Sequence, residues 1–298
     1  MGGFYTVRLA EGETLVCRQR GKLRKKEAGL FPGDWVRVSR IPAAEKAKAA
    51  ETGIQGMIEE TLPRRNFLLR PKVANIDIAV VVLAAGQPAP DWLLLDRILA
   101  MCLYHQIQPL VCLNKWDCLT AAEAQEMTAA LAPYRKIGMG GLTLSAQNGL
   151  GIAELQARLQ GKTAVFAGPS GVGKSSLLNA LAPGLCLPTG QISERLRRGK
   201  HTTRHVEMLP LPGNTFIADT PGFSLLDLPK DLQSRILSGL YPEFQGLPPC
   251  RFEGCLHDKE PDCAVKTALA AGHVDIGRYE RYLRLLAEAR EREERYYD

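Results

Sequence analysis

Residues 163–176 read TAVFAGPSGVGKSS. The run TAVFA has the composition of a strand buried on both faces, and KSSLLNAL (174–181) carries helical periodicity. Between them Gly168, Gly173, Lys174 and Ser175 fit the pattern G-x4-G-K-S/T. A glycine-rich turn between a buried strand and a helix is a phosphate cradle. Its backbone N–H groups and the positive end of the helix face phosphate oxygens, the lysine neutralises the β and γ oxygens, and the serine hydroxyl meets magnesium. The phosphate-binding set is therefore Gly168, Pro169, Ser170, Gly171, Val172, Gly173, Lys174, Ser175 and Ser176.

Upstream, PLVCLN (109–114) reads as a second buried strand and runs into Asn114, Lys115, Trp116 and Asp117. A carboxylate at Asp117 accepts from the N1–H and 2-amino groups of guanine, a donor pair that adenine lacks. Lys115 would lay its stem along the base, and Asn114 would tie the loop to its neighbours. SAQNG (145–149) follows the next strand, LTLSA (142–146), and Ser145 and Ala146 would bring backbone N–H groups to the guanine oxygen. Downstream, NTFIADT (214–220) is a strand ending at Asp219, Thr220, Pro221 and Gly222. There Asp219 holds the magnesium shell through water and the Gly222 N–H reaches the γ-phosphate. GKHTTRH (199–205) lies where a switch segment belongs, so Thr202 or Thr203 would meet the metal. The magnesium set is Ser175, Thr203 and Asp219, directly or through water.

The order is base reader, cradle, switches. An ordinary GTPase places the cradle first and the reader last. A domain whose termini lie close can be cut and rejoined elsewhere with its site intact, so this order is a circular permutation. It makes the loop after Asp219 lead straight into the C-terminal segment. Phe223 follows that loop, where many GTPases carry a glutamine that orients the attacking water. Slow intrinsic hydrolysis follows. His201 is either the group that positions water or a loop residue touching phosphate or RNA.

Around this core the chain divides into three parts. Residues 1–70 carry short β-rich runs broken by Gly and Pro, the pattern of a small antiparallel barrel, of which a five-stranded OB-type barrel is a common form. Residues 71–226 alternate strand and helix, as in a doubly wound α/β GTPase domain. Residues 227–298 hold a Pro-rich, Cys-containing stretch and a charged helix. In that stretch Cys250, Cys255, His257 and Cys263 offer three thiolates and one imidazole, a closed tetrahedral set for one structural zinc. With 8 cysteines in all, this clustering points to a metal site and away from a disulfide framework. No apolar run is long enough to cross a bilayer and MGGFYTVRLAEGE has no secretory pattern, so a cytoplasmic protein without membrane contact is expected. The net charge is +6, concentrated in RQRGKLRKK (18–26), RRNFLLR (64–70) and RLRRGK (195–200), which favours a nucleic-acid partner.

FPGDWVRV (31–38), RRNFLLRP (64–71), NKWD, SAQNG, GPSGVGKSS, GKHTTR, DTPGF and the Cys/His quartet together span nearly the whole chain. In this combination the sequence resembles the ribosome small-subunit-dependent GTPase A (RsgA) family. The resemblance implies a monomeric GTP hydrolase stimulated by the small ribosomal subunit. It implies that the barrel and the zinc segment contact ribosomal RNA late in subunit maturation, and that hydrolysis releases the factor. It also implies that His201 is the catalytic histidine, with Lys174 and Thr203. Arg204 stands where that family often continues a threonine run, which leaves Thr202 and Thr203 as alternatives at the metal. Two other readings are a P-loop ATPase or kinase, opposed by Asp117, and a zinc-containing RNA-binding module with a weak nucleotide site. Intact Lys174, Ser175 and Asp219 oppose the latter.

Overall fold

The computed structural model describes residues 3–21, 29–41, 53–69, 71–182, 206–219, 228–229 and 232–297. His201, Thr202, Thr203, Arg204, Gly222, Phe223 and the basic run 195–200 lie outside the described residues. The chain forms two units, Met1–Asn75 and Ile76–Asp298.

In the first unit β1 (Phe4–Arg8), β2 (Thr14–Gln19), β3 (Val36–Arg40) and β4 (Gly56–Thr61) make one sheet in the order β1-β2-β4-β3. Alternation in TLVCRQ points Leu15 and Cys17 inward, where they meet Ile58 of β4 in a small core. β5 (Phe67–Leu69) and β6 (Lys72–Ala74) form a separate hairpin. The described residues of this unit thus give one four-stranded sheet and a hairpin. Short strands with alternating pattern fix which face is buried.

The FPGDWVRV turn is locked in place. Gly33 sits at φ +87, and a Cβ there would lie 2.2 Å from the carbonyl oxygen of Ala74. Arg64 reaches across to Asp34 with two bonds of 2.7 and 2.8 Å and lies over the Phe31 ring. Arg64 is therefore a framework group, only 14% exposed at its side chain, and not the free surface cation that its place in RRNFLLR implies.

The second unit is built on β7 (Ile78–Ala84), α1 (Trp92–Tyr104), β8 (Gln108–Asn114), α2 (Ala121–Lys136), β9 (Gly140–Thr143), α3 (Ile152–Leu159), β10 (Thr163–Ala167), α4 (Lys174–Leu181), β11 (Glu207–Leu211) and β12 (Thr215–Asp219). The sheet order is β11-β12-β10-β7-β8-β9. Every pairing is parallel except the β11–β12 hairpin. β7 is buried along its whole length, as its unbroken IAVVVLA predicts. Helix starts follow local chemistry. The Asp91 carboxylate accepts from the Leu94 N–H at α1, and Thr120 with Glu123 forms a capping box at α2. One strand is misplaced by the sequence. β9 ends at Thr143, which leaves Ser145 and Ala146 in the following loop.

Beyond the sheet come α5 (Ser234–Leu237), α6 (Ala264–Ala270) and the long α7 (Ile276–Tyr297). α7 docks on α1 through buried charge. Arg278, 2% exposed at its side chain, donates to Asp96 at 2.5 Å and also pairs with Glu243. Arg281 and the Tyr134 hydroxyl complete the shell around Asp96. Burial pulls the Arg278 pKa down, but the Asp96 and Glu243 carboxylates outweigh it and hold the group above its usual value.

Candidate nucleotide site and metal centre

Parallel strands deliver their carboxyl ends to one edge of the sheet, where open α/β folds bind ligands. The loops after β8, β9 and β10 emerge there, and β12 ends there. β10 gives way to Gly168 at φ +135, and a Cβ at this position would lie 2.1 Å from the Val82 carbonyl oxygen on β7. Only glycine lets the chain run so close to the central strand. The loop enters α4 at Gly173, also at positive φ. Lys174 folds back over the loop, its Nζ donating to the carbonyl oxygens of Gly168 at 2.8 Å and Pro169 at 2.7 Å. Burial draws its pKa below the usual lysine value.

Asn114 ends β8 and is buried. Its Nδ2 donates to the Val172 carbonyl at 2.9 Å and its Oδ1 accepts from the Ala146 N–H at 3.2 Å. One side chain therefore ties the NKWD loop, the glycine-rich loop and the SAQNG loop together. A Cβ on Gly173 would come within 2.3 Å of that same amide. The two halves of the predicted site are in direct contact.

Lys115 takes a left-handed conformation at φ +62 and donates its Nζ to the Gln87 carbonyl at 2.7 Å. A single 3-10 turn, Trp116–Cys118, then presents Asp117 to solvent. A hydrogen bond from the Ser145 hydroxyl is the largest influence on Asp117 and holds its carboxyl below the usual range. Ser145 is itself fully buried and accepts from the N–H groups of Gln147 at 3.3 Å and Asn148 at 3.2 Å. The sequence predicts Ser145 as a residue near the base but not as the group that fixes the reader's carboxylate. Its place two positions beyond the end of β9 is the signal. Asp219 ends β12, and the pairing of Val165 with Ala218 puts its backbone at the same edge as Gly168.

Within the same unit Cys250, Cys255, His257 and Cys263 converge, their ligand atoms all within 4.8 Å of one another. The His257 Nδ1 lies 3.6, 3.5 and 3.4 Å from the sulfurs of Cys250, Cys255 and Cys263. The Cys250 and Cys263 sulfurs are 3.9 Å apart. A tetrahedron with metal–sulfur bonds of about 2.3 Å and a metal–nitrogen bond of about 2.0 Å requires separations of about 3.5 Å and about 3.8 Å. The donor set fits a metal ion. Supporting groups that the sequence does not reveal hold the loop. Glu260 accepts from the N–H groups of Leu256 and Asp258, each at 2.9 Å. Tyr279 and Tyr282 donate to the carbonyls of His257 and Leu256, each at 2.6 Å. Among the described residues no helix is long and apolar enough to cross a membrane.

Comparison with known proteins agrees with this geometry. Residues 61–229 match the model of the RsgA GTPase, and residues 1–47 that of the RsgA N-terminal domain. The small ribosomal subunit biogenesis GTPase RsgA of Moorella thermoacetica is 45% identical, with 98% of this chain and 96% of the relative covered. Its counterpart in Shouchella clausii is 42% identical, with coverage of 99% and 97%. Among solved structures, YjeQ from Thermotoga maritima superposes with a TM-score of 0.82 at 32% identity, covering 96% of this chain and 94% of that one. YloQ, described as a circularly permuted GTPase, gives 0.80 at 34% identity, with coverage of 98% and 93%. The chain belongs to the RsgA GTPase family.

Proposed function

We propose that this chain is a GTP hydrolase of small-subunit assembly, reading guanine at Asp117 and gripping the phosphates at Gly168–Ser176. The observation that carries the reading is the Asn114 side chain, bonded at once to the base-reading loop and to the Val172 carbonyl of the cradle. One bound molecule then spans both. In this reading Asp117 accepts from guanine, Ser145 orients Asp117, and Lys115 supports the base plane. Lys174 leaves the Gly168 and Pro169 carbonyls to neutralise the β and γ oxygens. Ser175, Asp219 and Thr203 or Thr202 would hold magnesium, which screens charge developing on the phosphates. Water attacks the γ-phosphorus in line, the bond to the β-bridging oxygen breaks, and GDP and phosphate leave. His201 is the group proposed to position that water, because Phe223 has no polar atom for the task.

The cysteine–histidine centre is proposed to hold one structural zinc. Three thiolates favour a soft-tolerant metal, and four protein ligands leave no open position for chemistry. The names of the relatives, small ribosomal subunit biogenesis GTPases, support the small ribosomal subunit as partner. Contact of the first unit and the metal-bearing segment with ribosomal RNA, release on hydrolysis, action as a monomer and a cytoplasmic location belong to the same proposal. The test is GTP turnover with and without purified small subunits. Slow turnover that rises severalfold or more with subunits is expected, and equal rates would overturn partner stimulation.

A further inference from the structure

Of the four donors in the metal centre, His257 alone stands in the left-handed region, at φ +60. A residue with a Cβ persists there only when its surroundings hold it. Here side chains hold the backbone on both sides of the imidazole. The N–H groups of Leu256 and Asp258 donate to the two carboxylate oxygens of Glu260, each at 2.9 Å. The His257 carbonyl accepts from the Tyr279 hydroxyl and the Leu256 carbonyl from the Tyr282 hydroxyl, each at 2.6 Å. The Phe244 ring meets the imidazole edge-on at 5.5 Å. Both tyrosines are buried and lie on α7, three positions apart and so on one face of the helix. Arg278 and Arg281 seat that helix against Asp96 of α1. The tyrosine hydroxyls therefore stand on a platform fixed to α1, not on the loop they hold.

His257 faces the three sulfurs with Nδ1, which only two side-chain torsions separate from the backbone. A shift of the peptide on either side of His257 therefore carries the ligand atom with it. Groups that support a ligand govern metal affinity, because a donor already in place loses little freedom when the ion arrives. Given a metal on the proposed quartet, we infer that Tyr279, Tyr282 and Glu260 are positioning residues that aim His257 Nδ1 toward the site shared with the three thiolates and set how tightly the centre holds its ion. None of the three is a ligand, and each acts through the backbone of the loop. By linkage, bound metal strengthens the hold of α7 on the loop by the same factor as that hold strengthens metal binding.

The test uses the full chain carrying Y279F, Y282F or E260Q. Zinc affinity is measured by competition with a chromophoric chelator, and the unfolding temperature is measured with and without bound zinc. Affinity should fall about tenfold or more in E260Q, the scale on which loss of a supporting partner weakens a metal site. It should fall about three- to tenfold in Y279F and in Y282F, each of which loses one neutral hydrogen bond. The rise in unfolding temperature that zinc produces should shrink in all three. Wild-type affinity in all three variants would overturn the inference. So would an unfolding temperature lowered equally with and without zinc, since bonds that only support the fold are felt in both forms. Retained GDP binding certifies the fold of each variant, and should E260Q fail that check, the two tyrosine variants decide. Wild-type protein that takes up no zinc would instead overturn the metal reading itself, and the inference with it.

Discussion

Asn114 and Ser145 carry more of the site than their positions in short motifs imply. N114A removes the partner of the buried Val172 carbonyl and of the Ala146 N–H at once. It should weaken GDP binding and lower stability by about 1–3 kcal/mol, read from titration and thermal unfolding. A loss of stability with unchanged affinity would separate reader from cradle. Ser145 acts through protonation as well as geometry. Because its hydroxyl holds the Asp117 pKa below the usual range, the carboxylate is charged above that value and is lost only as pH falls through it. GDP affinity should stay flat as pH falls from neutrality and decline only below the ordinary carboxylate range, and S145A should move the decline to higher pH. An identical pH profile in S145A would refute the role. The glycine pattern and the Asp117 position were legible in the sequence, because backbone approach and guanine's donors each demand one residue type. The bonds made by Asn114 and Ser145 were not, because they join loops far apart in the chain that meet only where the parallel strands end at one edge.

The elements followed their hydrophobic patterns closely where burial is two-sided, as in β7, and less well at the sheet edge. β9 has neighbours on one side only, and the positive φ of Gly140 and Gly141 shifts its pairing with β8. The buried charge between α1 and α7 had one visible trace, a lone Asp in the apolar run WLLLDRILAM. Nothing in the sequence named its partner 182 positions away. D96A leaves Arg278 buried with Glu243 alone. Unfolding in urea should then show a loss of about 3–5 kcal/mol, as for other broken buried pairs. A change below about 1 kcal/mol would mean that α7 docks on apolar contacts alone. Near the end of α7, Arg292 and Glu293 hold the chain at Leu228, Pro229 and Ser234, contacts that the sequence does not reveal.

At the scale of the whole molecule, motif order alone exposed the permutation, since a site is indifferent to where its chain is cut. The sheet order puts β12, β10, β7 and β8 side by side, so reader and cradle share an edge despite their reversed order. The metal centre was legible because a segment with so few apolar residues needs another source of stability. It shares no described side-chain partner with the nucleotide loops. Chelation should therefore release about one zinc per chain and lower the unfolding temperature while leaving GDP affinity within about twofold. Absence of metal from purified protein would dispose of the zinc assignment.

The central claim is that the carboxylate of Asp117 and the ammonium of Lys174 hold opposite ends of one guanine nucleotide. It is tested most directly by measuring GTP and xanthosine triphosphate affinities side by side in wild type, D117N and K174A. D117N should lose affinity for GTP and gain it for xanthosine triphosphate, whose purine presents an acceptor where guanine has its amino group, and K174A should weaken GTP binding in the otherwise intact chain. Undiminished GTP preference in D117N would contradict the claim.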